Sequence, residues 1–530
     1  MGAKINRRDD GKEAKHIDEW HRAGGIHGEM VRLVAMFILV LLVQDAWSHT
    51  PSWVLEIDEY ARAQLEKWSV PAASIAIVRD GGVIVTRGYG FRDLDRGLSA
   101  DENTLYAIGS ITKSFTAAAV GLLVERGQLQ WETRIVDMIP DFRLFDDFAT
   151  QRITSIDLLC HRSGLPDHNF VWYFTDFSRA DLVRRLRFLQ PSADFRTTFQ
   201  YNPLMYNLAG YLVEQVSGVT WEEFTRRNLF GPLDMPRSNF SNEEYLADDN
   251  HAVPFTDREG VRVQVELHPS QTLSGPAGSI NSTVVELAHW MIVQLAEGKF
   301  RDQQVLSAET VRRMQSPHMP LPSGHPPGEG PEGAVYSFAS YGLGWIIGTY
   351  YDQIVVEHSG AIDGFASKMV MLPRLNAGVV ILTNHQIEGD AFIYSMETRI
   401  LAELMGREPF DGSSWLTGQR SDEPKPSTLR PAPVALERPA EDFVGIFTNP
   451  GYGDVVVGLG PAGLEMRYYR FEVDIVHQGD GVFRTHGGIV SRDVVFQESR
   501  TGTVDRLEIQ WVRSIDPIVF ERSDDNSSGR

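Results

Sequence analysis

Ala73-Ser-Ile-Ala-Ile-Val-Arg-Asp-Gly-Gly-Val-Ile-Val-Thr-Arg87 consists of two runs rich in β-branched residues around Asp80-Gly81-Gly82, and that pattern predicts a β-hairpin. Immediately before it, Val54, Ile57, Ala61 and Leu65 recur at helical spacing, and Ser69-Val-Pro71 stops that helix. Downstream, helices alternate with loops from Ser110 to about Trp290, with apolar faces over Ser110 to Glu125, Tyr206 to Val216 and Thr283 to Leu295. Short β-rich runs return at Ile354 to Glu357, Ser367 to Leu372 and Gly378 to Thr383, and Ala391 to Met405 is a closing helix. Sheet at both ends with helices between predicts an α+β fold whose terminal strands meet in one sheet.

The chain has 530 residues, more than the ~250–300 at which a single core stops growing, so a large domain plus a smaller one is expected. Hydrophobic residues at 42% and charged residues at 23% sit near the globular average and argue against a disordered or fibrous chain. A formal charge of −21 repels phosphate backbones and anionic headgroups, so nucleic acid is not an expected partner. Cys160 is the single cysteine, so neither an intrachain disulfide nor a thiolate metal cluster can form, and Leu158 and Leu159 beside it indicate a packed thiol.

Between Ser413 and Ala440 the composition shifts to Pro424, Pro426, Pro431, Pro433 and Pro439, which reads as a stiff, extended linker. From Phe443 to Glu521, period-two alternation such as Leu464/Met466/Tyr468, Phe471/Val473/Ile475 and Leu507/Ile509/Trp511, punctuated by glycines, predicts a small antiparallel β-barrel. The Pro/Gly-rich stretch Ser316 to Gly333 holds no regular structure on this reading, and is either a cover over a cleft or an insertion. At the start, Met30 to Ser48 has the three-part grammar of a secretory signal: Arg32, the apolar run Leu33 to Val43, and Ala46 and Ser48 flanking a cleavage point. The run falls short of the ~20 residues of a bilayer span, so a secreted or periplasmic protein without a stable membrane span is expected. The alternative is an anchor formed by residues 33–43.

Ile108-Gly109-Ser110-Ile111-Thr112-Lys113 opens a helix, and the three-residue spacing puts Ser110 and Lys113 on one face. Ser110 also sits at the amino end, where free backbone N–H groups favour a developing oxyanion. Phe115, Ala118, Ala119, Leu122 and Leu123 make the rest of the helix apolar, so Lys113 is expected to be buried, with a lowered pKa and an amine able to take the serine proton. Tyr201, just ahead of the next amphipathic helix, is a candidate second proton carrier. No His-Glu-x-x-His or comparable ligand spacing supports a metal, and no Gly-rich loop suggests a nucleotide; no cofactor is expected.

Ser110-Ile-Thr-Lys113, Leu158-Leu-Cys-His-Arg-Ser-Gly-Leu-Pro166, Tyr201 with the helix from Tyr206 to Gly218, Tyr341-Gly-Leu-Gly-Trp345 and His358-Ser-Gly360 follow one another in an order that resembles the β-lactamase-related serine hydrolases. That family holds penicillin-binding proteins, class C β-lactamases, D-alanyl-D-alanine carboxypeptidases, D-aminopeptidases and related esterases. The resemblance runs from about Trp53 to Met405 and implies an antiparallel sheet flanked by helices, plus a helical subdomain. It implies that His358 stands where many relatives have the Lys of a Lys-Thr-Gly strand, and that Gly360 lets substrate lie along the strand edge. It implies an oxyanion hole made by the backbone N–H groups of Ser110 and Ala361, and a structural role for His161. Residues 441–530 resemble, more loosely, the lipocalin-like barrels appended to some members, which shape access to the site or build oligomers. The expected division is therefore 1–48 (extension, with the signal at 30–48), 49–412 (hydrolase domain), 413–440 (linker) and 441–530 (barrel).

One position departs from the family. Its Tyr-x-Asn pattern places an amide beside the substrate carbonyl and the lysine, but Pro203 stands there, with Asn202 one place early. Either Asn202 is re-aimed toward substrate or the contact is missing. The expected activity is two-step acyl transfer on an ester or peptide substrate: Lys113 deprotonates Ser110, and Tyr201, with His358 nearby, protonates the leaving group and later activates water. A peptidase or esterase is favoured over a true β-lactamase. The rival is a non-catalytic binding or assembly protein on the same scaffold, and the resemblance allows a homo-oligomer in either case.

Overall fold

A computed structural model of the chain describes residues 53–258, 260–267, 275–322, 338–409, 411–420, 434–461, 463–486 and 492–523. The expected signal at 30–48, with the rest of 1–48, lies outside the described residues.

The predicted hairpin forms from Ala72–Arg79 and Gly82–Asp93. Arg79 pairs with Gly82 across a two-residue turn in which Asp80 (φ 52°) and Gly81 (φ 76°) are both left-handed, the geometry that follows the strand twist and selects Asp-Gly. Asp363-Gly364 and Asp480-Gly481 repeat this device between Ile362 and Phe365 and next to Val482. The predicted meeting of the terminal strands also occurs: Ala72–Arg79 pairs antiparallel with Ala377–Thr383, Ala73 facing Thr383 and Arg79 facing Ala377. Nine strands follow in the order Met319–Pro320, Ala339–Tyr341, Ile346–Tyr350, Gln353–Ile362, Phe365–Leu372, Ala377–Thr383, Ala72–Arg79, Gly82–Asp93 and Leu98–Ser99. Every neighbouring pair in this sheet is antiparallel.

Helices cover the sheet and build the subdomain between its halves. Thr112–Glu125 is buried from Thr112 through Leu123, because the helices Pro203–Ser217 and Ala308–Met314 and the short turn Gly275–Gly278 all pack on it. Phe115 stacks on Trp290 with ring centroids 4.3 Å apart and meets Phe230 edge-on at 5.8 Å. A helix apolar on every side is a helix with no wet face, so Lys113 is carried into the core by its neighbours.

Beyond the hydrolase-like part, eight antiparallel strands from Gly445–Asn449 to Ile518–Arg522 close into a barrel, sealed by Phe447 opposite Arg522 and Thr448 opposite Glu521. The alternating residues point inward: Leu464, Met466, Tyr468, Phe471, Val473, Ile475, Leu507, Ile509 and Trp511 are all buried.

Two expectations need correction. Within the span read as an extended linker, Gly412–Arg420 is helical; the prolines that suggested extension begin only at Pro424, and Asp411 accepts from the Ser414 backbone N–H at the helix start. Residues 421–433 lie outside the described residues. Within Ser316 to Gly333, Met319–Pro320 is an edge strand, which an edge position permits because proline has no donor to lose there; 323–333 lie outside the described residues.

Candidate active site

Ser110 lies in the 3₁₀ turn Gly109–Ile111 that leads into Thr112–Glu125. Gly109 has φ +50°, and a β-carbon there would come within 2.7 Å of the Ala361 backbone nitrogen, so only glycine lets the turn approach the sheet. One helical turn on, Lys113 is 1% exposed, and its Nζ lies 2.9 Å from Ser110 Oγ and 2.7 Å from the Ala277 carbonyl oxygen. Burial pulls the amine down to about 7. A neutral amine can give an N–H to Ala277 and keep its lone pair for the Ser110 proton. The Ala277 carbonyl was not anticipated from sequence. The only signal is the small-residue run Gly275-Pro-Ala-Gly278, held to the helix by the Thr116 hydroxyl donating to the Pro276 carbonyl at 2.6 Å.

Desolvation around its hydroxyl raises the Tyr201 phenol, and the Ser110 side chain beside it opposes the rise. Its ring lies 4.8 Å from Lys113 Nζ. Behind it, His161 packs at 4.3 Å from the Tyr201 ring and 4.6 Å from the Tyr341 ring. The Asn202 backbone N–H donates to His161 Nδ1, so the imidazole proton sits on Nε2; this agrees with the structural role that the family likeness implied for His161.

His358 occupies a deeper position than expected. Its Nδ1 lies 2.6 Å from the Ser359 carbonyl and its Nε2 2.7 Å from the Tyr341 hydroxyl. A carbonyl only accepts, so Nδ1 carries the proton and Nε2 accepts from Tyr341. Burial first, and the Lys113 charge second, push this imidazole down to about 3. The ring is 2% exposed and 6.3 Å from that of Tyr201, a placement that offers little to the expected proton transfer; what its Nε2 meets is the Tyr341 hydroxyl. The strand position for which the resemblance implied a lysine in many relatives here holds an uncharged ring.

The strand edge meets the serine turn, and Gly360, expected to make room for substrate, makes room for that turn instead. A β-carbon on Gly360 would lie 2.0 Å from the Ile108 carbonyl oxygen and 2.9 Å from the Ser110 backbone nitrogen, so the edge at Gly360-Ala361 abuts Gly109-Ser110 at contact distance. Ser110 and Ala361 therefore lie on facing segments, and both line the cavity.

Asn202, the candidate substrate-binding amide, is turned the other way. Its Oδ1 accepts from the Leu204 backbone N–H at 2.7 Å, and its Nδ2 donates to the carbonyls of Leu165 and Pro166 at 3.0 and 2.6 Å. It is fully buried and caps the helix Pro203–Ser217. Of the two alternatives, the structure takes the one in which the family amide contact is missing: Pro203 lines the cavity instead.

Ser110 and Lys113 open into a cavity of about 390 Å³, walled also by Ala361, Asp363 and a series of aromatic rings. Cys160 is buried and burial raises its thiol to about 12, so it is not a competing nucleophile. Among the described residues no group of three His, Cys, Asp or Glu side chains could hold a metal ion, and no helix is long and apolar enough to cross a membrane.

An antiparallel sheet flanked by helices, with a serine and a lysine one helical turn apart at its edge, is a β-lactamase-like scaffold, and the chain belongs to the Beta-lactamase family, whose match covers residues 57–401. It is similar to an unguisins hydrolase of Aspergillus campestris, 30% identical over 432 residues that make up 75% of this chain and 76% of that one. Protein flp of Staphylococcus aureus is 26% identical over 337 residues, 62% of each chain. In fold it is similar to the octameric penicillin-binding protein homologue from Pyrococcus abyssi, with a TM-score of 0.58 at 21% identity over 88% of this chain and 100% of that one.

Proposed function

We propose that the protein is a serine hydrolase that forms an acyl-enzyme at Ser110 from an amide or ester. The observation that carries this reading is the buried amine of Lys113, held near neutrality 2.9 Å from the Ser110 hydroxyl. Lys113 takes the hydroxyl proton as Ser110 Oγ attacks the carbonyl carbon, and the N–H groups of Ser110 and Ala361 receive the charge on the carbonyl oxygen. Tyr201, beside Ser110 and with its ring 4.8 Å from Lys113 Nζ, passes a proton to the departing nitrogen or oxygen and then draws one from the water that releases the acyl group. Tyr341 and His358 position this aromatic cluster without touching the substrate.

Peptidase or esterase action is favoured over β-lactam turnover because Asn202 is committed to backbone partners and Pro203 has no amide to offer. A relative named as a hydrolase of unguisins supports hydrolytic action in general. Self-association belongs to the same proposal, on the precedent of the octameric Pyrococcus abyssi homologue, and light scattering tests it. So does export by way of 30–48, which amino-terminal sequencing of the mature protein tests.

A fluorophosphonate probe, with fluorescent penicillin alongside, tests the central claim. Labelling of the wild type and none of Ser110→Ala is expected. An unlabelled wild type that also turns over no ester would leave a non-catalytic scaffold as the reading.

A further inference from the structure

The cavity above Ser110 is not built by the hydrolase domain alone. Phe170, Trp172, Tyr173 and Phe174 line it from one loop, and Phe471 and Trp511 line it from the barrel. Phe170 lies flat on Trp511, ring centroids 4.5 Å apart and 3° from parallel, and meets Phe471 edge-on at 5.6 Å. Phe174 contacts Phe471 at 5.0 Å. These are one continuous aromatic surface contributed by two parts of the chain.

The barrel also pins the loop that carries these rings. The Tyr468 hydroxyl donates to the Phe170 carbonyl at 3.0 Å. Tyr452 Oη lies 2.6 Å from His168 Nδ1, and His168 Nε2 lies 3.0 Å from the Gln190 carbonyl, so Nε2 carries the imidazole proton and Nδ1 accepts from the tyrosine. Arg470 of the barrel pairs with Asp176 at 2.6 Å.

Two of the charges at the cavity offset one another, and a third is hydrogen-bonded. Arg492 of the barrel and Asp167 of the loop each act electrostatically on the other, and Asp363 accepts from the Tyr173 hydroxyl at 2.6 Å. Asn169, Gln386 and the Asp363 carboxylate also line the cavity, but six rings, Phe170, Trp172, Tyr173, Phe174, Phe471 and Trp511, make its largest single class of wall, and rings favour apolar and aromatic groups. At about 390 Å³ the space is at the low end of small-molecule sites, whose range is ~300–1,000 Å³, and suits one residue-sized group more than a run of chain.

Resting on the hydrolase reading, we infer that the barrel is part of the substrate site and that the site takes an amide or ester with an uncharged aromatic group flanking its scissile carbonyl, the Phe170–Trp511 stack being the wall that selects it. The full-length chain is tested by following hydrolysis of methyl acetate, methyl 3-phenylpropanoate and 3-phenylpropyl acetate in a pH-stat, which puts the ring on either side of the carbonyl. At least one aromatic ester is expected to exceed methyl acetate in kcat/KM by about tenfold or more. That preference is expected to fall roughly tenfold in Trp511→Leu and in Phe170→Leu. The readout is the ratio of two kcat/KM values on the same preparation, from which any inactive fraction cancels, so partial misfolding of a variant does not imitate the effect. A wild type that turns over all three esters without preference, or a preference unchanged in both variants, overturns the inference and leaves the hydrolase reading standing. A wild type that turns over none and takes no fluorophosphonate overturns both.

Discussion

Lys113 Nζ lies 2.7 Å from the carbonyl oxygen of Ala277, a residue 164 positions away in sequence. That carbonyl accepts one amine proton and so fixes the direction in which the nitrogen lone pair points. A base in this site has to be neutral and single-ended. Arginine is neither, since its guanidinium stays charged. Lys113→Arg and Lys113→Ala are each expected to lower kcat/KM on a small ester by ~10²–10⁴, with a matching loss in the rate of fluorophosphonate labelling. Near-wild-type labelling in either variant would remove Lys113 from the mechanism.

The pH dependence follows from the same amine. Burial lowers Lys113 to about 7, and the neutral form is the active one, so kcat/KM on an uncharged ester is expected to climb with pH through about 7 and level off above it. The raised phenol of Tyr201 stays protonated over that range. For stability, the folded state holds fewer protons than the unfolded one between about 7 and the ~10.4 of a free lysine, so this group's contribution rises with pH across that window. A profile flat from pH 5 to 9 would count against Lys113 as the base.

Asn202→Ala separates a cap from a substrate ligand. The variant strips the helix Pro203–Ser217 of its amino-terminal cap and leaves the carbonyls of Leu165 and Pro166 without their donor. A loss of about 1–3 kcal/mol in unfolding free energy is expected, read by denaturant titration. A KM rise at unchanged stability would instead return the amide to the substrate.

Gly360→Ala presses a methyl group toward the Ile108 carbonyl and the Ser110 nitrogen, to 2.0 and 2.9 Å if nothing moves. The strand edge has to withdraw, taking the Ala361 N–H with it. A drop of ~10²–10³ in kcat is expected, while the melting temperature reports separately on the fold. Turnover close to wild type would place the oxyanion donors elsewhere.

Legibility in the sequence tracked locality. Asp80-Gly81 announces its hairpin because the turn's backbone demand is met within two residues. Ser110 and Lys113 meet because helical spacing alone brings them together. The inward ring of Leu464, Met466 and Tyr468 follows from strand alternation. What stayed hidden depends on distant partners or on backbone atoms. The Ala277 carbonyl is an acceptor that any residue carries. The Tyr341 hydroxyl reaches His358 across neighbouring parts of the sheet, and only that contact, together with the Ser359 carbonyl, reveals which imidazole nitrogen holds the proton. Asn202 reads as a displaced ligand because the carbonyls its amide donates to, those of Leu165 and Pro166, come from another loop. The helix Gly412–Arg420 was hidden by prolines that begin several residues after it ends.

The large sheet, as described, terminates on both sides in strands two residues long, Met319–Pro320 and Leu98–Ser99, and the barrel has no terminal strand at all. Long open ladders invite strangers to join by strand addition. The closed barrel offers no such ladder, whereas the large sheet keeps one: on its outer side Gly82–Asp93 pairs only through Phe91 and Asp93, with Leu98–Ser99, so among the described residues the stretch from Gly82 to Gly90 is where an added strand would find its grip.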